Sequence, residues 1–377
     1  MVNHIVFLAN DSLSILNQIE NWHPIKYFIW FIFLLVATGT FFGAKLSSTY
    51  LSALTQRTRL GTAVAGGIIL SFISASPELT AALVSGIIGH PELSVSDVIG
   101  SNSVITFCLA LANIIFLRKK LFANTTKWNN IMMWLLLGFD LLLVITLIPI
   151  KEFAFMRVTI SGIRLSWVNL VIFIGYIIFF VLFTKHASKE QTAEIDLDTE
   201  KVAMSHLKLK RIYTIFGLGT GLIIISAFLL TFTVKIMQAP SVYNIPSTSA
   251  GDVLLGYVTG LPELTPLFFL AKLGQGTMAI SATVGANLFH YFFNFFSDIA
   301  YFNEGEYKTI ATTNLRYEYF LIICIEALLT GLLILNTRKK ISNNKIMLIT
   351  ISVVIMLVYA IGWIANIALT STNVIIK

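Results

Sequence analysis

Apolar residues run in long unbroken blocks along this chain, separated by short polar or charged connections. Ten blocks stand out, at 25–49, 60–88, 96–117, 130–150, 166–184, 212–234, 249–273, 276–302, 318–336 and 345–370. Their lengths lie near or above the ~20 residues a helix needs to cross a bilayer. None shows the apolar/polar alternation of a barrel strand. The pattern therefore predicts membrane-spanning helices, in which each backbone amide is satisfied within its own segment. The expected fold class is all-α, a polytopic membrane protein of ten transmembrane helices forming two inverted five-helix repeats. The expected divisions are an extracellular N-terminal segment (1–23), a first repeat (24–184), a cytoplasmic linker (185–211) and a second repeat (212–377).

Composition agrees. Of 377 residues, 56% are hydrophobic and 12% charged, against about 25% charged in soluble domains; mean hydropathy is +0.82. The two cysteines, Cys108 and Cys324, each fall inside an apolar block and read as small buried hydrophobes rather than a disulfide framework. Residues 1–23 lack the basic start and small-residue cleavage site of a signal peptide, and read as a short polar or interfacial segment. The net charge of +7 points to cytoplasmic loops rather than to nucleic acid. Of the lysines and arginines, 18 fall on the side of the central linker and 8 on the other. The positive-inside rule then puts the linker in the cytoplasm and both termini outside, in the plasma (inner) membrane.

A repeat is hidden in the blocks. SASPEL at 74–79 has a counterpart in TGLPEL at 259–264, and GSNSVITF at 100–107 in GANLFHYF at 285–292. One offset of 185 residues relates Glu78 to Glu263, Gly100 to Gly285, Asn102 to Asn287 and Gly89 to Gly274. A third PEL, at 91–93, has no mate at that offset, and Pro91 and Glu92 read as an extracellular turn. Five spans per half is an odd number, so the second copy enters the membrane from the opposite side. Inverted repeats of this kind are typical of secondary transporters, whose sites lie between the halves.

The repeated residues suit cation chemistry. Pro77 and Pro262 each remove a helical hydrogen bond and so expose a carbonyl one turn earlier. Beside each proline stands a carboxylate, which is costly in hydrocarbon unless it has a partner. Glu78 and Glu263, with hydroxyls such as Ser74, Ser76 and Thr259, form a hard-oxygen set that fits Ca²⁺ or Na⁺. The glycines fit a close helix crossing, and Asn102 and Asn287 are either packing hydrogen bonds or ligands. Asp140 and Glu326 either form a peripheral proton path or hydrogen-bond between helices, the second being expected, and Asp298, mated with Asn113, is expected to play a structural or vestibule role.

At these residues the chain resembles the calcium/cation antiporter superfamily, most closely its sodium/calcium exchanger branch. The family's two alpha repeats carry a Gly-Thr-Ser-x-Pro-Glu-like element and then a Gly-Ser-Asn-like one. The ten-span layout is similar too. The resemblance implies alternating access around a central site at which Glu78 and Glu263 are the main ligands and Ser74, Thr259 and Ser101 lesser ones. There are departures. The second hydroxyl of each first element is lost, at Ala75 and Gly260. Where the second elements commonly have Asn or Asp, this chain has Ile105 and His290. His290 is therefore either a neutral ligand or a protonatable group that occupies a cation's place.

The function expected is a secondary active cation antiporter resembling Na⁺/Ca²⁺ exchangers. The alternatives are H⁺-coupled exchange through His290 and a non-transporting protein that keeps the fold. The candidate metal-ligating set is Glu78, Glu263, Ser74, Thr259, Ser101, His290, Asn102 and Asn287. No cofactor is expected beyond the transported cations, Ca²⁺ and Na⁺ or H⁺. The expected partners are inorganic cations and the lipid bilayer, with no nucleic acid and no obligate protein. No phosphate-binding loop, HExxH motif or nucleophile elbow argues for an enzyme.

Overall fold

In the computed structural model the described residues are 18–19, 24–57, 72, 74–123, 125–148, 157–160, 163–186, 208–274, 276–301, 305–312 and 315–375. Most of the N-terminal segment, the first part of the second predicted span and nearly all of the linker lie outside them.

The main helices are α1 (Ile25–Arg57), α2 (Ser76–Ile87), α3 (Pro91–Ile115), α4 (Lys127–Leu147), α5 (Trp167–His186), α6 (Leu209–Met237), α7 (Gly256–Leu273), α8 (Gly276–Tyr301), α9 (Arg316–Asn336) and α10 (Lys345–Ile375). A turn at Ser247–Ser249 and a π-helical stretch at Ala250–Leu255 lead into α7. Seven helices among the described residues are long and apolar enough to cross a membrane, and the pair Ser247–Leu264 and Pro266–Lys272, bent by 40°, makes an eighth. The bend falls at Pro266, where the helical hydrogen bond is lost.

α8 is as long as the others but too polar to pass that test, and the packing explains why. None of its described residues is exposed, and in α3 only Ile115 is. Both are screened from lipid by protein, so they carry Asn, Ser, Thr and His at no cost in hydrocarbon. The outer helices differ: Tyr27, Phe31 and Leu34 of α1, Leu218 and Ile225 of α6, and Ile361 and Ile364 of α10 are exposed, as a lipid-facing surface requires.

α1 and α6 cross closely. A Cβ on Gly43 would meet the Ile223 amide nitrogen at 2.9 Å, and one on Gly219 the Ser47 nitrogen at 2.9 Å. The hydroxyls of Ser47 and Thr220 add a 2.9 Å hydrogen bond. This is packing through small residues, the usual solution where lipid offers no hydrophobic drive between helices.

Two expectations are corrected. Pro91 and Glu92 do not form a turn but open α3: Pro91 is at the start, where a missing N–H costs nothing, and Glu92 is buried with its Oε1 2.8 Å from His90 Nδ1. The connection before α5 is not all loop: Arg157–Ile160 and Ile163–Ser166 pair as antiparallel strands, β1 and β2.

Candidate cation site

Within the described residues of the second predicted span, a helix, α2, starts at Ser76. Ala75 has φ −88° and ψ 8°, and Pro77 lies in the first turn of α2. Proline there is pre-organised for a helix start, so Pro77 shapes a helix N-terminus instead of kinking a helix interior as expected. Glu78 follows in the same turn, in the positive field of the helix end. Pro262, by contrast, lies inside α7 as expected.

These two elements and α8 bring Glu78, Glu263 and His290 together. Ligand atoms of the three lie within 4.8 Å of one another, all buried. His290 Nε2 is 3.2 Å from Glu263 Oε1 and 3.7 Å from Glu78 Oε1. Neither oxygen of Glu78 has a hydrogen-bond partner, nor does Glu263 Oε2. A buried carboxylate left so is strongly unfavourable, and a bound cation or proton is the remedy.

The tautomer of His290 follows from its neighbour. Asn102 Nδ2 donates to the Asn287 carbonyl at 3.4 Å, which leaves its Oδ1 to face His290 Nδ1 at 2.8 Å. Nδ1 is therefore assigned as the donor. Nε2 then points at two carboxylate oxygens. A lone pair against lone pairs is repulsive, so this geometry calls for a proton or a cation between them.

Asn102 and Asn287 are reciprocal. Asn287 Nδ2 donates to the Asn102 carbonyl, also at 3.4 Å. Another pair at the 185-residue offset agrees: Gly89 and Gly274 have φ of +78° and +79°, the left-handed conformation that favours glycine. Gly100 makes the expected close crossing, since a Cβ there would meet the Asp252 carbonyl oxygen at 2.3 Å; Gly285 does not, facing only Met132 Cε at 3.3 Å.

Ser101 and Thr259 form a neighbouring cluster. Their hydroxyls are 3.2 Å apart, and Thr259 donates to Asp97 Oδ1 at 2.9 Å. Asp97 is fully buried and its Oδ2 has no partner. Sequence reasoning missed Asp97 because the offset places Ala282 opposite it; its position one helical turn before Ser101 was the available signal. Ser74 is half-buried one turn before Glu78. Ile105, the mate of His290, is fully buried and offers no oxygen.

The other intramembrane acids do make interhelical hydrogen bonds. Tyr291 donates to Asp140 at 2.5 Å, and Ser103 to Glu326 at 2.6 Å. Asp298 accepts from the Ser166 and Glu306 amides at 2.6 and 3.0 Å and from Asn169 at 3.2 Å, tying β2, α5 and the short helix Glu306–Thr312 to α8. Its mate Asn113 donates to Ser352.

The fold and site thus define a polytopic helical membrane protein with a buried carboxylate–imidazole centre. Residues 28–185 match the sodium/calcium exchanger protein family. The whole chain is similar in fold to the H⁺/Ca²⁺ exchanger CAX, with a TM-score of 0.60 and 13% identity over 99% of this chain and 100% of that one. It is also similar to the sodium-calcium exchanger NCX_Mj soaked with 10 mM Na⁺ and zero Ca²⁺, with a TM-score of 0.54 and 17% identity over 89% of this chain and 98% of that one. No curated protein matches in sequence. The chain thus shares its fold with these two exchangers, and residues 28–185 match the sodium/calcium exchanger family model.

Proposed function

We propose that this protein is a secondary active antiporter that carries Ca²⁺, or another hard divalent cation, at Glu78 and Glu263 and exchanges it for H⁺. The reading extends to ten spans in two inverted repeats, alternating access around a midplane site, and a plasma-membrane orientation with the linker in the cytoplasm. One observation favours H⁺ as the coupling ion: His290 Nε2 faces both glutamates while its Nδ1 is committed to Asn102. A proton at Nε2 occupies the place of cation charge, and an entering divalent cation displaces it. Glu263 is joined to this exchange through its direct contact with the ring. Asn102 and Asn287 position; Ser101, Thr259 and Ser74 are outer oxygens. Na⁺ coupling is the second reading, supported by the match of residues 28–185 to the sodium/calcium exchanger family.

The test is Ca²⁺ uptake into proteoliposomes, driven separately by a pH gradient and a Na⁺ gradient. Uptake driven by pH, and reduced roughly 100-fold or more by Glu78→Gln because a buried charged partner is lost, is the expected result. Uptake driven only by Na⁺ selects the second reading. No uptake with either gradient rejects Ca²⁺ antiport.

A further inference from the structure

The two helices at the centre present neighbouring residues to two different carboxylate pairs. On α8, His290 faces Glu78 and Glu263 while Tyr291 donates to Asp140. On α3, Asn102 meets His290 while Ser103 donates to Glu326. A second acidic centre thus lies directly behind the first, between α3, α4, α8 and α9.

We propose that Asp140 and Glu326 form a second ionisable centre that binds one exchangeable proton, reached from a cavity lined by Ser103, Asp252, Tyr359 and Trp363. Both carboxylates are fully buried. Each has one oxygen hydrogen-bonded and one, Asp140 Oδ2 and Glu326 Oε1, without a partner. The charge of Asp140 acts on Glu326. Neither has a basic group at ion-pair distance among the described residues. Two such carboxylates do not both stay ionised in a protein interior; the pair titrates as a unit and keeps a proton.

A second feature points the same way. Thr330, one turn along α9 from Glu326, is fully buried, lies beside both carboxylates, and its hydroxyl meets neither in hydrogen-bond geometry. The pocket therefore holds two unpartnered carboxylate acceptors, which a proton shared between the acids would satisfy. The remaining titratable groups that face the pair are Tyr291 from α8, which also feels Tyr307, and Asp252 from the π-helical stretch. Asp252 and Ser103 share the wall of the cavity, and the Ser103 hydroxyl donates to Glu326. The proposal concerns proton binding and does not rest on which ion the central site carries.

The experiment is infrared difference spectroscopy of the full chain in lipid nanodiscs, titrated with pH in H₂O and D₂O. The unaltered protein is expected to show a protonated-carboxyl band that shifts in D₂O. One component of the band should be lost in Asp140→Asn and in Glu326→Gln and kept in Glu78→Gln, with the contribution of Glu306 present throughout. Tyr291→Phe and Ser103→Ala keep the acids and remove one donor each, so each should raise the midpoint of the band by roughly one pH unit. A band unchanged in both acid variants, or midpoints unmoved in both donor variants, overturns the proposal. A band that Na⁺ abolishes at constant pH also overturns it, because the pair then holds a metal ion.

Discussion

The tautomer of His290 is set by one neighbour, and its free nitrogen faces two others. Asn102 takes the Nδ1 proton, so whatever lies at Nε2 is shared with Glu78 and Glu263. His290→Asp adds a carboxylate and removes the protonatable ring. It is expected to lower pH-driven uptake at least 10-fold and to introduce Na⁺-driven uptake; a variant that keeps full pH-driven exchange shows that His290 is not the coupling group. In the unaltered protein, the apparent affinity for the cation should fall as pH falls, since proton and cation compete for one place. The residues of this site were largely legible because they occur twice: Glu78, Glu263, Asn102 and Asn287 stand in one register. His290 was legible as a departure from that register. Asp97 was not, because a residue with no mate leaves no trace in a repeat, and its burial comes from α7 packing against α3, which is a tertiary fact.

Helix α3 meets the π-helical stretch before α7 at Gly100, with the Asp252 backbone in the space a side chain would take. Gly100→Ala is expected to destabilise the protein by about 1–3 kcal/mol through overpacking. Gly285→Ala should be close to neutral, because only the flexible end of Met132 gives way. Thermal unfolding of both variants in detergent measures the contrast; equal losses would mean that the two glycines make equivalent crossings. The same motif glycine thus has different work in each half, which a sequence match cannot show. Element boundaries were hard to read for a similar reason. Apolar blocks reveal where lipid or protein surrounds a helix, and α3 begins at Pro91 because Glu92 is covered by protein. The paired strands Arg157–Ile160 and Ile163–Ser166 are too short for a hydrophobic pattern to announce.

Stability of the whole molecule should depend on pH through a carboxyl outside the bilayer-spanning helices, that of Glu306. Glu306 is fully buried, and burial first, then the charge of Asp298, pushes its carboxyl well above the ordinary carboxylate range, against the pull of the hydrogen bond that Asn169 donates to it. Above the unfolded value of about 4.3, the unfolded chain releases this proton while the folded protein keeps it. Stability therefore falls as pH rises, until the folded carboxyl itself ionises and the loss levels off. Glu306→Gln is expected to raise the melting temperature at pH 7 and to flatten its decline between pH 5 and pH 8. A variant as pH-sensitive as the parent assigns the slope elsewhere. At this scale the sequence was informative about class and reticent about number. Outer helices such as α10 announce themselves by hydropathy, whereas α8, hidden among others, is free to be polar and fails the same test.

The contact between Asn102 and Asn287 maps onto itself when the two repeats trade places, since each asparagine donates to the other's backbone. The contact between Ser101 and Thr259 does not: its image pairs Ala286 with Ser74, and no hydrogen bond is possible. If the halves exchange conformations during a cycle, the first contact is common to both end states and the second belongs to one alone. A buried hydrogen bond contributes about 1 kcal/mol, which corresponds to roughly a five-fold difference in population. On the proposed cycle, the two end states would then differ in energy through one hydroxyl, Ser101, whose mate Ala286 lacks it.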